Sequence, residues 1–256
     1  MKVASFNVNS IRARLEIVID WLKKESPDVL CLQETKIADK DFPQKAFDVI
    51  NYHSVFHGEK SYNGVAILSL YPLEKVRVGF DEYESEARRI ISATVKKIPV
   101  VNTYVPQGLN PLSKEFREKL DWFQRLYYYF DENFRPDKPL IWTGDFNVAP
   151  EPIDVYEPDF LLGQVGYHPD EHAHLQRIKE WGFVDVFRLH HPEPEQYAFR
   201  DYRIKNAVQH KMGWRIDHIW ATKPLAKKCT KAWIDVAPRL AKKPSDHTFV
   251  VAEFSK

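Results

Sequence analysis

Apolar runs of strand length recur along this chain, and one after another they stop at a residue suited to holding a metal or moving a proton. Pro139-Leu140-Ile141-Trp142-Thr143 reads as a buried strand and leads into Gly144-Asp145-Phe146-Asn147. The strand over 3–6 ends in Asn7-Val8-Asn9, and Val29-Leu30-Cys31-Leu32 ends in Gln33-Glu34-Thr35-Lys36. Pro244-Ser245-Asp246-His247 directly precedes an apolar run over 249–254. Side chains alternate along a strand, so an Asp and an Asn two residues apart leave on the same side. Taken singly, each pair is ordinary turn chemistry after a strand. Taken together, they point to a fold that gathers several strand ends at one cleft. Carboxylate and amide oxygens are hard ligands suited to Mg²⁺ or Mn²⁺, which keep open positions for water and phosphate.

The chain has 256 residues, ample for a large core, and its 44% hydrophobic content excludes a disordered polymer. No run of about 18 apolar residues occurs, which argues against a membrane-spanning helix. Met1-Lys2-Val3-Ala4-Ser5-Phe6-Asn7 lacks the long apolar stretch of a signal peptide. Cys31 and Cys229 both sit in apolar runs and read as buried free thiols, as expected in a reducing, cytoplasmic setting. The net charge of +1 excludes a bulk polycation, so a nucleic-acid enzyme of this composition needs local basic patches beside its acidic site. Candidates are Arg12 with Arg14, Lys36, Arg88 with Arg89, Arg200 with Arg203 and Lys205, and Lys242 with Lys243. Most surface charge pairs are merely solvated, so weight falls on those beside the polar strand ends.

Neither a linker nor a low-complexity tract interrupts the chain, and residues 1–256 are expected to form a single catalytic domain. After Ser10, Leu15, Val18, Ile19 and Leu22 recur at helical spacing, and Pro27-Asp28 turns the chain into the strand ending at Glu34. Segments 53–56, 65–70, 73–78, 90–95 and 100–105 read as strands. Turns such as Tyr71-Pro72 and Ile98-Pro99 join neighbours and favour antiparallel pairing. Ser113 is placed to cap a helix carrying Phe116, Leu120, Phe123, Tyr127 and Phe130 on one stripe. A second helix runs through Leu175, Ile178 and Trp181 to Gly182. The acidic, proline-rich stretch 149–170 reads as an ordered loop near the site, and strands over 215–221, 233–236 and 249–254 follow. The order strand, helix, several strands, helix, strand occurs about twice, which suits two packed sheets with outer helices. The pattern alone supports mixed α/β.

The motifs also carry a resemblance. Phe6-Asn7-Val8-Asn9, Leu32-Gln33-Glu34-Thr35-Lys36, Asn63-Gly64-Val65-Ala66, Arg88-Arg89-Ile90-Ile91 and Tyr104-Val105-Pro106-Gln107-Gly108 occupy the first half. Gly144-Asp145-Phe146-Asn147-Val148-Ala149-Pro150, Gly182-Phe183-Val184-Asp185, Tyr202-Arg203, Trp214-Arg215-Ile216-Asp217 and Lys243-Pro244-Ser245-Asp246-His247 occupy the second. In order and spacing the chain resembles the exonuclease III family of class II abasic-site endonucleases over essentially its whole length. The loop over 202–214 is similar to the bacterial branch. The resemblance implies a four-layer α/β sandwich, with two packed sheets flanked by helices. It implies a Mg²⁺- or Mn²⁺-dependent DNA-repair nuclease that cuts duplex DNA 5′ to an abasic site, leaving a 3′-hydroxyl and a 5′ sugar phosphate. Trimming and 3′→5′ degradation of 3′ ends are implied as well. The implied partner is double-stranded DNA with abasic sites or 3′ ends, bound by a monomer with no membrane involved.

Phosphodiester hydrolysis needs an activated water, neutralised phosphate charge and a stabilised leaving oxygen. By resemblance, Glu34 is the leading metal ligand, with Asn7, Asn9, Asp145, Asn147 and Asp246 completing the metal-binding set; many relatives carry Asp where this chain has Asn9. Asp145 would position and deprotonate the attacking water, Asn147 would orient it, and Tyr104 would hydrogen-bond the phosphate. His247 would bear on the phosphate, with Asp217 fixing its tautomer. A rival assignment makes His247 the base and Asp145 chiefly a ligand, and the sequence leaves both open. Lys36, Tyr62, Arg89 and Arg203 would contact the DNA, while Phe199, Trp214 and Ile216 would line a pocket for a flipped, base-less sugar. Arg200 stands where a hydrophobic residue is expected. Two other readings compete: a phosphodiesterase of the wider superfamily acting on inositol phosphates or sphingolipids, and a DNA-binding module without catalysis. The first lacks any lipid-facing segment, and the intact set of acidic residues with His247 speaks against the second.

Overall fold

The computed structural model describes residues 1–80, 88–201 and 212–255. Its layers follow from alternation within the strands. In β1 (Lys2–Asn7), Ala4 and Phe6 face one way and Val3 the other. In β2 (Val29–Gln33), Leu30 and Leu32 oppose Val29 and Cys31 in the same manner. These strands join β3 (His53–His57), β4 (Val65–Ser69), β11 (Cys229–Asp235) and β12 (Phe249–Phe254) in a sheet of order β11-β12-β1-β2-β4-β3. A second sheet holds β5 (Glu74–Val78), β6 (Ile90–Val95), β7 (Ile98–Tyr104), β8 (Ile141–Asp145), β9 (Phe183–Asp185) and β10 (Asp217–Thr222) in the order β5-β6-β7-β8-β10-β9.

Each sheet has one parallel pair at its centre, β1 with β2 and β7 with β8, and antiparallel neighbours elsewhere. Parallel strands need a long crossover, and a helix supplies it both times: α1 (Ile11–Glu25) after β1 and α3 (Lys114–Asn133) after β7. That is the twofold repetition of order visible in the sequence. Val3, Cys31, Ile67 and Val250 of the first sheet meet Ile91, Val100, Ile141 and Ile219 of the second in one buried cluster. The outer face of the first sheet packs Phe6, Leu32 and Val251 with Val18 and Leu22 of α1 and Phe47 of α2 (Gln44–Asp48). The outer face of the second packs Trp142 and Trp220 with Phe123 and Phe130 of α3 and with Leu175 and Ile178 of α5 (Pro169–Gly182). The result is the expected four-layer α/β sandwich. Among the described residues, no helix is long and apolar enough to cross a membrane.

Several elements differ from expectation: β9 and α2 carry no clear signal in the sequence, and β10 begins at Asp217 rather than 215. The buried stripe of α3 runs through Phe116, Lys119, Trp122, Phe123, Leu126, Tyr129 and Phe130, leaving Leu120 and Tyr127 at its margins. A lysine at the centre of the stripe hides the true phase from a hydrophobicity reading. Ser113 does cap this helix, its hydroxyl accepting from the Phe116 amide at 3.1 Å. The stretch 149–170 contains a 3-10 turn at Pro152–Asp154 and the short helix α4 (Pro158–Leu161), each started by a proline. β11 begins at Cys229, before the expected 233, because Thr230 and Lys231 sit on an exposed edge and carry no apolar signal.

Candidate active site

The alternation that sorts the core continues to the strand ends. Asp145 lies on the β8 face of Ile141, Asp217 on the β10 face of Ile219, and Asn7 on the β1 face of Val3, so all three enter the space between the sheets. Asp145 stands directly opposite Asp217 in the antiparallel ladder and beside Tyr104 in the parallel one. The Asn7 side-chain amide donates to Glu34 Oε1 at 2.9 Å and to Asp145 Oδ2 at 2.8 Å. A single amide thus ties together carboxylates from both sheets.

The backbone turns sharply at these ends. Asn9, Glu34, Lys36 and Asn147 have φ of 40°, 51°, 51° and 50°, in the left-handed region. Asn tolerates it, but for Glu and Lys it is strain of the kind that concentrates at functional sites. Gly144 is required by a close approach: at φ 136°, an added Cβ would lie 1.9 Å from the Thr103 carbonyl oxygen.

Like charges facing each other across a ladder repel, so the Asp145–Asp217 pair needs a cation. His247 supplies it. Its Nδ1 lies 2.8 Å from Asp217 Oδ2, and its Nε2 lies 3.9 Å from Asp145 Oδ2. Burial opposes protonation of this imidazole, but Asp217, then Asp145 and Asp246, outweigh it and hold His247 above its ordinary range. Burial raises the Asp145 carboxyl, and Asp217 adds to the rise, while His247 and the amides of Asn7 and Asn147 oppose it. Burial also opposes ionisation of Glu34, yet Lys36 Nζ at 2.6 Å and the Asn7 amide keep it below the usual carboxylate range. The Tyr104 phenol is held neutral by burial and by the Glu34 and Asp145 charges, with the Arg89 guanidinium 4.7 Å from its ring centre.

These groups line a cleft of about 880 Å³. Asn9, Glu34, Lys36, Tyr104, Asp145, Asn147, Phe199, Trp214, Ile216, Asp246 and His247 all border it. Asn7 and Asp217 stand behind, holding residues that do. Asn9 is engaged at both ends of its amide: its oxygen accepts from Lys36 Nζ at 2.7 Å and its nitrogen donates to Asp246 Oδ1 at 3.0 Å. Arg89 borders a neighbouring hollow shared with Gln107, Gly108 and Leu109, and Tyr62 is exposed on the loop whose Ser61 and Asn63 hydrogen-bond the backbone of Lys36. Arg203 lies outside the described residues. Gln107, Leu109, Tyr156, Phe160 and Gln164 also border the cleft, and as loop residues they carry no periodic signal that would mark them in the sequence.

Glu34, Asp145 and His247 bring potential ligand atoms within 4.8 Å of one another. The carboxylates of Glu34, Asp145, Asp217 and Asp246 gather here beside Lys36 and His247. The oxygen-rich donor set fits one hard divalent ion. With His247 occupied by Asp217, the oxygens of Glu34 and Asp145 are the fitting ligands.

An apolar wall stands beside this acidic centre. Phe199 and Trp214 exchange backbone hydrogen bonds at 3.0 and 2.9 Å, and the Phe199 ring lies 4.8 Å from the His247 ring. Between Trp214 and Ile216, which face the cleft, Arg215 turns into the interior. It pairs with Asp154 at 2.6 Å and Asp185 at 2.7 Å, and it donates to His218 Nδ1 at 2.9 Å. The other imidazole nitrogen of His218 then donates to the Val148 carbonyl at 3.0 Å. The wall is therefore anchored by a buried ionic network. Arg215→Met is expected to lower stability by about 3–5 kcal/mol, because two buried carboxylates lose their shared cation. Urea or thermal unfolding checks this; a loss within the scatter of surface substitutions would contradict it.

Residues 4–247 match the endonuclease/exonuclease/phosphatase family. The exodeoxyribonuclease III of Haemophilus influenzae is 33% identical, over 99% of this chain and 100% of its own. Among solved structures, an AP endonuclease from Archaeoglobus fulgidus superposes with a TM-score of 0.97 at 49% identity, with both chains fully covered. A 3′ phosphatase from Neisseria, bound to a product DNA hairpin, superposes with a TM-score of 0.94 at 35% identity, again over both whole chains. The match spans every strand end that builds the cleft, and on these grounds the chain belongs to the endonuclease/exonuclease/phosphatase family, among the relatives of exodeoxyribonuclease III.

Proposed function

We propose that this chain is a DNA-repair nuclease that hydrolyses the phosphodiester 5′ to an abasic site in duplex DNA and also processes 3′ ends. The observation that carries this reading is the juxtaposition of the Asn7-tied pair Glu34 and Asp145, the cationic His247, and the apolar wall of Phe199, Trp214 and Ile216. Residues 1–256 act as one catalytic domain, working as a monomer in the cytoplasm. In this reading Asp145 takes the proton of the attacking water, since it borders the cleft beside Asn147 while His247 is engaged by Asp217. The cationic His247 and the Tyr104 hydroxyl face the phosphate, and Asn147 orients the water. A Mg²⁺ or Mn²⁺ ion held by Glu34 and Asp145 would supply positive charge for the phosphate and for the departing 3′ oxygen. Lys36, Arg89 and Arg203 neutralise flanking phosphates. The wall accepts a base-less sugar and excludes a normal nucleotide by size.

The test is incubation with matched duplexes carrying an abasic analogue, a uracil or neither, with and without Mg²⁺. Cutting at the abasic site is expected, with trimming from 3′ ends, and the uracil duplex reads out any uracil-directed nicking. EDTA should abolish both reactions and Mg²⁺ or Mn²⁺ restore them, and full activity in metal-free buffer would refute the metal assignment. Recognition separates from charge. Trp214→Ala is expected to lose discrimination for the abasic duplex, by about 1–3 kcal/mol, the scale of an apolar pocket contact. Arg89→Ala should instead weaken all duplexes alike and lower the salt slope by about one phosphate contact. Equal loss on intact and abasic DNA in Trp214→Ala would remove it from the pocket.

A further inference from the structure

Behind the cleft, in direct contact with the backbone of Asn147, lies a fully buried ion pair. Lys119, on the core side of α3, and Glu171, in the first turn of α5, are both 0% exposed. The Lys119 ammonium lies against three oxygens: it donates to the Gln107 carbonyl at 3.0 Å and the Asn147 carbonyl at 2.8 Å, and it pairs ionically with Glu171 Oε1. Glu171 Oε2 in turn accepts from the Gly166 amide at 2.8 Å and the His168 amide at 3.0 Å. One charge pair therefore fixes three separate loops, and Gln107, Asn147 and Gly166 all border the cleft. Burying such a pair is costly, and apolar side chains of similar volume would serve packing as well or better. Its presence inside an otherwise apolar stripe thus calls for a role that packing does not fill.

Asn147 shows what that role is. Its left-handed backbone is held by three hydrogen bonds. The main-chain N–H donates to Asp145 Oδ1 at 2.8 Å, and the side-chain amide donates to the Val105 carbonyl at 2.8 Å. The Lys119 ammonium on its carbonyl is the third. Neither of the other two bonds touches the Asn147 carbonyl, so the ammonium is what holds that end of the residue directly, while His218 on the Val148 carbonyl and Gly166 on the Ala149 amide fix the chain beyond it. We propose that Lys119 and Glu171 are positioning residues for the nuclease reaction, holding Asn147 in its working orientation and tying it to the rim loops at Gln107 and Gly166. The inference rests on the reading of Asn147 as part of the reaction centre.

The test is a double-mutant cycle between Asn147→Ala and Lys119→Met/Glu171→Gln, using the full chain with Mg²⁺ and a duplex with a tetrahydrofuran abasic analogue. The paired change removes both charges yet keeps an oxygen for the Gly166 and His168 amides. Its kcat is expected to fall by about 10- to 100-fold, the scale of a small displacement at a reacting centre, with KM changed by no more than about twofold. In the Asn147→Ala background the same change should cost almost nothing more. A purely structural pair would lower the melting temperature and leave this coupling at zero. Independent, multiplying losses, or a KM rise with kcat intact, would overturn the proposal while leaving Asn147 in the reaction centre. Full turnover by Asn147→Ala alone would overturn the reading of Asn147 itself, and the proposal with it. Should the paired variant fail to fold, Lys119→Arg runs the same cycle. It keeps a cation for Glu171, but a planar guanidinium cannot converge on the three acceptors as an ammonium does.

Discussion

Asp145→Asn is expected to lower turnover on abasic duplex DNA by about 10²- to 10⁴-fold, the range of a positioned general base, while the DNA still binds. The geometry makes the reason specific. Asp145 presents two oxygens to two donors, Oδ1 to the Asn147 amide and Oδ2 to the Asn7 side chain. An asparagine has one oxygen, so one of these donors loses its partner as the basicity disappears. The change also removes one of the two carboxylates facing each other across the β8–β10 ladder. Thermal stability is therefore expected to hold even as catalysis collapses, as it does when a strained active site is relaxed. Single-turnover rates at saturating Mg²⁺, fluorescence anisotropy with abasic DNA and a melting curve together check this. Near-normal cutting would take Asp145 out of the centre of the reaction.

Much of this arrangement is legible in the chain because period-two alternation is a strict rule. Once the runs 3–6, 29–33, 139–143 and 249–254 are taken as strands, parity places Asn7 and Asp145 on the inward faces. The helical crossovers α1 and α3 are visible because they are long and amphipathic. What the sequence conceals depends on pairings between distant segments. Nothing in Asp217 announces that it stands opposite Asp145, since that follows from the register of two strands far apart in the chain. Lys119 reads as one more surface charge on α3, and only the arrival of Glu171 from α5 makes it a core residue. Arg215 is concealed in the same way, between two pocket residues and matched by Asp154 and Asp185. Hydrophobic periodicity finds apolar cores well, but a buried charge looks exposed until its partner is known. Asn9 illustrates a further limit: its residue type suits a ligand, but only the fold reveals that its amide also links Lys36 to Asp246.

His247 and Asp217 should behave as one device. His247→Asn is expected to lower turnover by about 10²- to 10³-fold, the scale for losing a charged donor aimed at developing phosphate charge. Asp217→Asn should cost less, about 10- to 100-fold, as for other partners that orient a working imidazole. The order follows from the contacts. Asp217 Oδ2 lies 2.8 Å from His247 Nδ1 and fixes which way the other nitrogen points, but it stands behind the ring, outside the cleft. An asparagine there can still present an oxygen to Nδ1, though without the charge that keeps the imidazole protonated. Once His247 is gone, Asp217 has nothing to orient and its carboxylate is left buried beside Asp145. Adding Asp217→Asn to His247→Asn should then cost little in rate and recover some stability by removing that unpaired charge. The cycle is read from single-turnover rates and melting temperatures of the four proteins. Losses that multiply, with no recovery of stability in the double variant, would mean that Asp217 acts on the reaction by a route other than His247.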